Sequence, residues 1–394
     1  MRGLPRWPSR GTDAGVKILH VITRLELGGA QQNTLHTCRE LARRGHDVTL
    51  AFGPGGMLDD EAALGGHALR PLADLVREIS PLKDLRALVA LTRLVSELDP
   101  EIVHTHGSKA GALGRWAALA GGARRTVHSV HGWSFAENMP RARRVAYRIV
   151  EHVCAPLTDH FISVSALDLQ LGERLHIVPR GKGSVIRSGF NLAEFRYNQA
   201  DRDALRREWG VAPNDVLIVN VSNFKAQKAP LDFVRAASIA ARQEERLRFV
   251  FVGDGELRRE VEHGSASLGL GDRLLLAGWR RDIPRVLSAA DLVALTSLWE
   301  GLPRTVVQAR ACGRTVVATA VNGTPEVVED GVTGFLVRAR DVESMAQAYV
   351  TLARDAGLRQ RIGSRAAQGL EEFDETMMVD MQEALYQRLL GGST

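Results

Sequence analysis

The sequence predicts an α/β protein of two doubly wound parallel-sheet domains, and three observations predict it. The first is length: 394 residues exceed what one hydrophobic core usually organises, so two domains of roughly 150–200 residues are expected. The second is the alternation of short apolar segments with amphipathic ones, which starts at Val16 and starts afresh near Val216. Short strands that are apolar throughout are buried on both faces, as the right-handed crossovers of a parallel sheet require. The third is a polar, strand-poor stretch, Asn191–Arg207, which places a join between Gly189 and Asp215.

Taken in order, Met1–Gly15 is rich in Pro, Arg, Gly and Ser but lacks the apolar core of a signal peptide, so it reads as a disordered lead-in. Val16–Ile22 is an apolar strand, the segment around Gly28-Gly29 a turn, and Gln31–Arg44 a helix closed by Gly45. Strands follow at Val48–Phe52, Ile102–His104, Thr126–Val130 and Phe161–Val164, with helices at Leu82–Leu98 and Lys109–Ala120. The second run has strands at Val216–Val221, Arg248–Val252, Leu274–Ala277, Leu292–Leu295, Thr315–Ala318 and Gly334–Val337. Its helices lie near Pro230–Arg242, Glu256–Leu268, Pro303–Cys312 and Val342–Arg354. The pattern from Leu358 to Leu390 is helical. The expected domains are therefore residues 16–190 and 191–370, with 371–394 a terminal helix bracing the first. Two open parallel sheets bind ligands beyond the carboxyl ends of their strands, which puts the expected active site in an interdomain cleft.

Composition narrows the class. A hydrophobic share of 45% and a charged share of 25% suit a soluble enzyme, and no apolar run approaches the length of a membrane span. The formal charge is only +5, and nucleic acid is not an expected partner. Six lysines stand against 45 arginines, a bias that either genomic base composition or anionic partners would produce. Cys38, Cys154 and Cys312 are widely spaced, which indicates a reducing, cytoplasmic setting and no structural metal site.

Chemistry gathers at the strand exits. Leu292–Leu295 leads through Ser297-Leu298-Trp299-Glu300-Gly301-Leu302-Pro303 into a helix, and a helix N-terminus is a natural anion site. Glu300 on the same rim can accept hydrogen bonds from hydroxyls, so the pair suits a ligand carrying both phosphates and hydroxyls, such as a nucleotide-sugar. Lys225 and Lys228 follow the strand Val216–Val221 and suit a diphosphate, while Gly253-Asp254 is either structural punctuation or the edge of a nucleoside pocket. Gly28-Gly29 would let backbone approach a ligand closely. His104, His106, His128 and His131 cluster at two strand ends. No carboxylate accompanies them and strand alternation fixes no tetrahedral set, so no metal is expected and His131, at the strand exit, is the candidate for touching substrate. Asp201-Arg202-Asp203 opens a helical pattern and reads as helix capping rather than metal binding. Pro140–Val150 interleaves arginine with apolar residues, which fits an anionic membrane surface or an ordinary solvated helix.

These motifs in this order resemble the retaining glycosyltransferases of GT-B fold, the group 1 or family 4 type, with two Rossmann-like domains. The similarity runs from Val16 to about Ala367. It is carried by Val252-Gly253-Asp254-Gly255, Leu276-Ala277-Gly278-Trp279, Ala289-Ala290-Asp291, Ser297 to Pro303, Ala311-Cys312-Gly313, Asn322 to Val328 and Gly331-Val332-Thr333-Gly334. Gly28-Gly29-Ala30, His131-Gly132 and Val164-Ser165 add to it in the first domain. The resemblance implies transfer of a sugar from a UDP- or GDP-sugar to a glycan or lipid-linked acceptor, in cell-envelope or polysaccharide biosynthesis, without metal or other cofactor. It implies Glu300 and His131 as catalytic. Lys225, Lys228, Gly29, Leu302, Pro303, Arg304 and Thr305 would hold the donor diphosphate, and Gln308, Gly253, Asp254 and Val306 the nucleoside. Gly28, His106 and Trp133 would lie on the acceptor side. Two positions depart from the family pattern: Gln308 stands where a glutamate for ribose is usual, and Asn223 where an arginine is common. The alternatives on the same architecture are a nucleotide-sugar epimerase and a nucleotide-sugar-binding protein with weak or no catalysis.

Overall fold

The structure of the protein, a computed structural model, describes residues 15–135 and 139–391. Nearly all of the lead-in expected at Met1–Gly15, and the last three residues of the helix expected at 371–394, lie outside the described residues. In chain order the elements are β1 (Lys17–Arg24), α1 (Gly29–Arg43), β2 (Asp47–Gly53), α2 (Asp59–Ala63), β3 (Ala68–Pro71), α3 (Pro81–Leu98), β4 (Ile102–His106), α4 (Ser108–Gly121) and β5 (Arg125–Val130). There follow α5 (Arg141–Cys154), β6 (His160–Ser163), α6 (Ala166–Arg174), β7 (Gly183–Val185), α7 (Gln199–Glu208), β8 (Val216–Val221), α8 (Pro230–Ala241), β9 (Leu247–Val252) and α9 (Arg258–Ser267). The remainder is β10 (Leu274–Gly278), α10 (Ile283–Ala289), β11 (Leu292–Leu295), α11 (Arg304–Ala311), β12 (Thr315–Thr319), α12 (Thr324–Val327), β13 (Gly334–Val337), α13 (Val342–Arg354), α14 (Ala356–Ala366) and α15 (Glu375–Gly391).

The chain divides into two compact units, the first holding residues up to Phe190 and from Glu375 onward, the second Asn191–Asp374. Unit 1 is a parallel sheet in the order β3-β2-β1-β4-β5-β6-β7. Alternation along β1 sends Ile18 and Ile22 into one core with Leu35, Cys38, Val379 and Leu385 of α1 and α15. Leu19 and Val21 enter a second core with Ala87, Leu91 and Ala117 of α3 and α4. Unit 2 is a parallel sheet in the order β10-β9-β8-β11-β12-β13. Its core is aromatic beneath α8 and α13, with Phe233 edge-on to Phe251 at 5.1 Å. In each sheet the strand order reverses once, between β1 and β4 and between β8 and β11. Loops leaving those carboxyl ends diverge and leave room for a ligand.

Two details differ from the sequence expectation. The helix expected to open in the polar segment after residue 190 is α7, but its cap is Asn198, accepting the Asp201 N–H at 3.1 Å; Asp201-Arg202-Asp203 is its first turn rather than its cap. Asp291, at the foot of β11, accepts from Arg202 at 2.7 Å, Arg206 at 2.9 Å and the Leu217 N–H at 2.8 Å, so the Ala289-Ala290-Asp291 motif locks α7 onto the sheet. Burial works to raise the Asp291 carboxyl; the Arg202 charge, the Leu217 N–H and the Arg206 charge outweigh it and hold the carboxyl low. The helical pattern from Leu358 to Leu390 is interrupted: α14 stops at Ala366, Gly369 turns at φ 68°, and α15 starts at Glu375 in the other unit.

Candidate functional site

In unit 2 the loops leaving β8 and β11 are stitched together. The Leu298 N–H donates to the Gln227 carbonyl at 2.7 Å, Gln227 Nε2 to the Trp299 carbonyl at 2.8 Å, and the Thr296 hydroxyl to the Lys228 carbonyl at 2.9 Å. These bonds bring Lys228 to Glu300. Lys228 Nζ and the Ser297 hydroxyl both donate to Glu300 Oε1, each at 2.5 Å. Oε2 accepts no hydrogen bond among the described residues. The Glu300 side chain is 7% exposed and that of Lys228 20%, so the pair is shielded yet open to a ligand from one side. The Glu300 N–H donates to Asn322 Oδ1 at 3.3 Å, and the Thr319 hydroxyl fixes the Ser297 carbonyl at 2.6 Å.

Two non-glycine residues with left-handed backbone flank this carboxylate, Ala229 at φ 43° and Asn322 at φ 40°. Ala229 turns the chain directly after Lys228 into α8. A β-carbon there costs roughly 1–2 kcal/mol, and such strain persists only where packing enforces it. Ser297 and Asn322 were not singled out from the sequence as site residues; the usable signals were a serine three residues before the glutamate and an Asn-Gly pair after an apolar strand, since asparagine tolerates left-handed backbone.

Helix α11 begins just beyond Glu300, with Pro303 as its uncapped N-terminal residue and no acid in its first turn. Its positive end is therefore available to an anion. Leu302 and Pro303 are buried at its mouth, Arg304 and Thr305 are half-buried on its rim, and the Thr305 hydroxyl donates to the Val221 carbonyl at 3.3 Å. Val306 is turned inward: its side chain is in the core and its N–H is donated to the Pro303 carbonyl at 3.0 Å. Gln308 is half-buried one turn on, and Lys225 is half-buried at the exit of β8. Gly253 has φ 139°, and a β-carbon there would strike the Ser222 carbonyl. Asp254 accepts the Phe224 N–H on its carbonyl at 2.8 Å, which joins the β9 exit to the lysine loop.

In unit 1, Gly28 is extended and precedes α1, whose first turn has neither a side-chain cap nor an acid. Gly29 is its first residue. Alternation along the strands splits the four histidines expected to cluster. His104 and His106 share one face, while His128 faces α4, with its Nδ1 2.9 Å from the Thr105 hydroxyl. The fourth member of the cluster is His20 on β1, which the sequence reading did not single out because a lone histidine in an apolar strand carries no pattern. His106 lies between His20 and His131, 3.0 and 3.2 Å away. One nitrogen each from His20, His104 and His106 lie within 4.8 Å of one another; ligands of one tetrahedral zinc lie roughly 3.3 Å apart. Both His104 nitrogens are engaged, by the Tyr386 hydroxyl at 2.5 Å and the Ser129 hydroxyl at 2.8 Å. Trp133 is packed inward: it stacks on Phe135 at 5.2 Å and donates its indole N–H to the Asp168 carbonyl at 2.8 Å. Its ring closes the core under α6.

The family model described as Glycosyl transferases group 1 matches residues 201–369, and that described as Glycosyltransferase Family 4 matches residues 27–194. An Escherichia coli UDP-Gal:alpha-D-GlcNAc-diphosphoundecaprenol alpha-1,3-galactosyltransferase is 31% identical over 96% of this chain and 98% of its own. A D-inositol 3-phosphate glycosyltransferase of Actinosynnema mirum is 28% identical over 86% of this chain and 87% of its own. Among solved structures, the Anabaena HepE protein in complex with UDP and glucose superposes with a TM-score of 0.81 at 22% identity, covering 94% of this chain and 99% of its own.

Proposed function

The chain belongs to the GT-B glycosyltransferases of the group 1 and family 4 kind, and from that membership we propose that it moves a hexose from a UDP-sugar to a lipid-linked glycan with retention of anomeric configuration. The observation that carries the reading is the Glu300 carboxylate, held on one oxygen by Lys228 and Ser297 at the uncapped mouth of α11. Lys228, with Lys225 beside it, meets the donor diphosphate, the N-terminus of α11 takes the phosphate charge, and Glu300 accepts from sugar hydroxyls. For unit 1, the family resemblance assigns Gly29 to phosphate, His131 to sugar or acceptor, and Gly28 and His106 to the acceptor side. The reaction breaks the bond from the anomeric carbon to the phosphate oxygen and forms one to an acceptor oxygen on the same face. The acceptor proton passes to the leaving phosphate oxygen, so the chain's own groups orient and stabilise charge. Gln308 and the β9 exit at Gly253-Asp254 hold the nucleoside.

UDP release from a panel of UDP- and GDP-sugars, with undecaprenyl-diphosphate-linked GlcNAc as acceptor, tests this. Lys228→Ala and Glu300→Gln each lower kcat/KM at least a hundredfold, in the range for removing one preorganised electrostatic contact, and EDTA leaves the rate unchanged. Full activity in both variants, or an inverted product, removes the reading.

The lipid-linked acceptor implies work on an anionic membrane from the cytoplasmic side, a setting that three buried free cysteines suit. No helix among the described residues is long and apolar enough to cross a membrane. Helices α3 and α5 both pack on α4, and the three carry exposed apolar side chains: Leu82, Leu85, Trp116, Val145, Ile149 and Val153. Helix α5 adds Arg141, Arg143, Arg144 and Arg148, and exposed apolar residues beside arginine suit the headgroup region. Flotation with vesicles containing anionic lipid should recover the protein and should fail for Ile149→Glu with Val153→Glu; equal recovery with neutral vesicles contradicts the anionic part of the proposal.

A further inference from the structure

Three imidazoles form a file from the interior of unit 1 to the exit of β5. His20 Nδ1 lies 3.0 Å from His106 Nε2, and His106 Nδ1 lies 3.2 Å from His131 Nε2. Their rings are nearly parallel, 15° apart for the first pair and 28° for the second. His104 sits beside the file, 4.2 Å from His106 between ring centroids. It does not join, because the Tyr386 and Ser129 hydroxyls engage both its nitrogens. At the inner end His20 Nε2 is buried and has no hydrogen-bond partner among the described residues.

Burial keeps the inner rings neutral. Desolvation, and secondarily the neighbouring His67, push His20 down to about 3; desolvation, then His104, His20, His131 and His128, push His106 well below the ordinary histidine range. A neutral imidazole has one N–H and one lone pair, so the two hydrogen bonds of the file run in the same direction along it. The inner end selects that direction. A buried N–H without a partner is rarer and costlier than an unfilled lone pair, so His20 Nε2 carries the lone pair and the His20 proton is on Nδ1. His20 then donates to His106, and His106 donates from Nδ1 to His131 Nε2.

We propose that His20 and His106 are positioning residues that hold His131 as the Nδ1–H tautomer, with its Nε2 lone pair tied inward and its ring plane fixed. The histidine assigned to the ligand is thereby fixed in orientation, with its proton on Nδ1. This rests on the reading of His131 as a ligand contact.

Long-range proton–nitrogen correlation spectra of histidine-labelled protein report the tautomer directly. The expected wild-type result is His131 protonated at Nδ1, and a proton at Nε2 overturns the proposal without need of any variant. His20→Phe should convert His131 to a mixture of tautomers and lower kcat by roughly tenfold to a hundredfold, the usual cost of losing an orienting partner, with the donor KM unchanged. His20→Asn, which keeps a polar atom at the Nδ1 position, should restore most of the rate. An unchanged His131 spectrum in His20→Phe overturns the proposal. If His131→Ala leaves transfer intact while the tautomer is as expected, the ligand-contact reading fails and the file stands.

Discussion

Glu300 illustrates how one residue takes its meaning from three others. Its carboxylate is fixed by Lys228 and Ser297 and its backbone by Asn322, so a donor that claims Lys228 for phosphate leaves Ser297 to keep the carboxylate aimed. One turn into α11, Gln308 offers an amide where the family resemblance leads to the expectation of a carboxylate, and a neutral acceptor binds a ribose hydroxyl more weakly than a charged one. Gln308→Glu should therefore tighten UDP by about 1 kcal/mol, roughly fivefold in Kd by titration calorimetry; equal affinity would show that the amide already satisfies the contact. Glu300, Lys228 and the mouth of α11 were legible in the sequence because each follows an apolar strand at its carboxyl end. His20 and the inward turn of Trp133 were not. A histidine inside an apolar strand and a tryptophan after a glycine look the same whether they meet a ligand or a carbonyl, and only the Asp168 carbonyl and the His106 ring decide between them.

Among the elements, α5 is tied to α4 by a single buried ion pair. Only Glu151 and Cys154 of this helix are buried, and Glu151 meets Arg115 of α4 at 2.8 Å with the two side chains 4% and 0% exposed. Arg115 also donates to the Gly111 carbonyl at 2.8 Å. Glu151→Ala strands a buried guanidinium and should cost about 3–5 kcal/mol, read as a fall in the urea midpoint together with early proteolysis within 141–154. A change below about 1 kcal/mol would mean that α5 is held by its apolar contacts instead. The periodic, well-buried strands were read from the sequence to within a few residues. The edge strands β3 and β7 were missed, since Ala68–Pro71 and Gly183–Val185 are short and bury little, so no apolar run marks them. The break between α14 and α15 escaped for a related reason: a helical period shows that segments are helical and says nothing about which core receives them.

At the scale of the whole molecule, unit 1 concentrates buried neutral histidines. His20, His104, His106 and His128 are all held below the ordinary histidine value, chiefly by burial and further by neighbouring histidines or, for His128, Arg115. An unfolded chain takes up protons at these four positions as pH drops through about 6.5, while the folded chain refuses them. The stability they provide is complete above that value and is lost on acidification, at up to about 1.4 kcal/mol per pH unit for each group. Urea unfolding of unit 1 followed at pH 7.5 and pH 5.0 should show a clear loss at the lower value; identical midpoints would mean that the rings take up protons as readily in the fold as in the unfolded chain. The place of α15 has a further consequence. Met378, Val379, Leu385 and Tyr386 complete the core that Ile18 and Ile22 begin, yet all of Asn191–Asp374 separates them in sequence. On the ribosome, the first sheet to be made must wait with one face only partly covered, by α1, until the last helix emerges, while unit 2 has every strand it needs. The second half of the chain is thus placed to fold before the first, which reverses the usual order of synthesis.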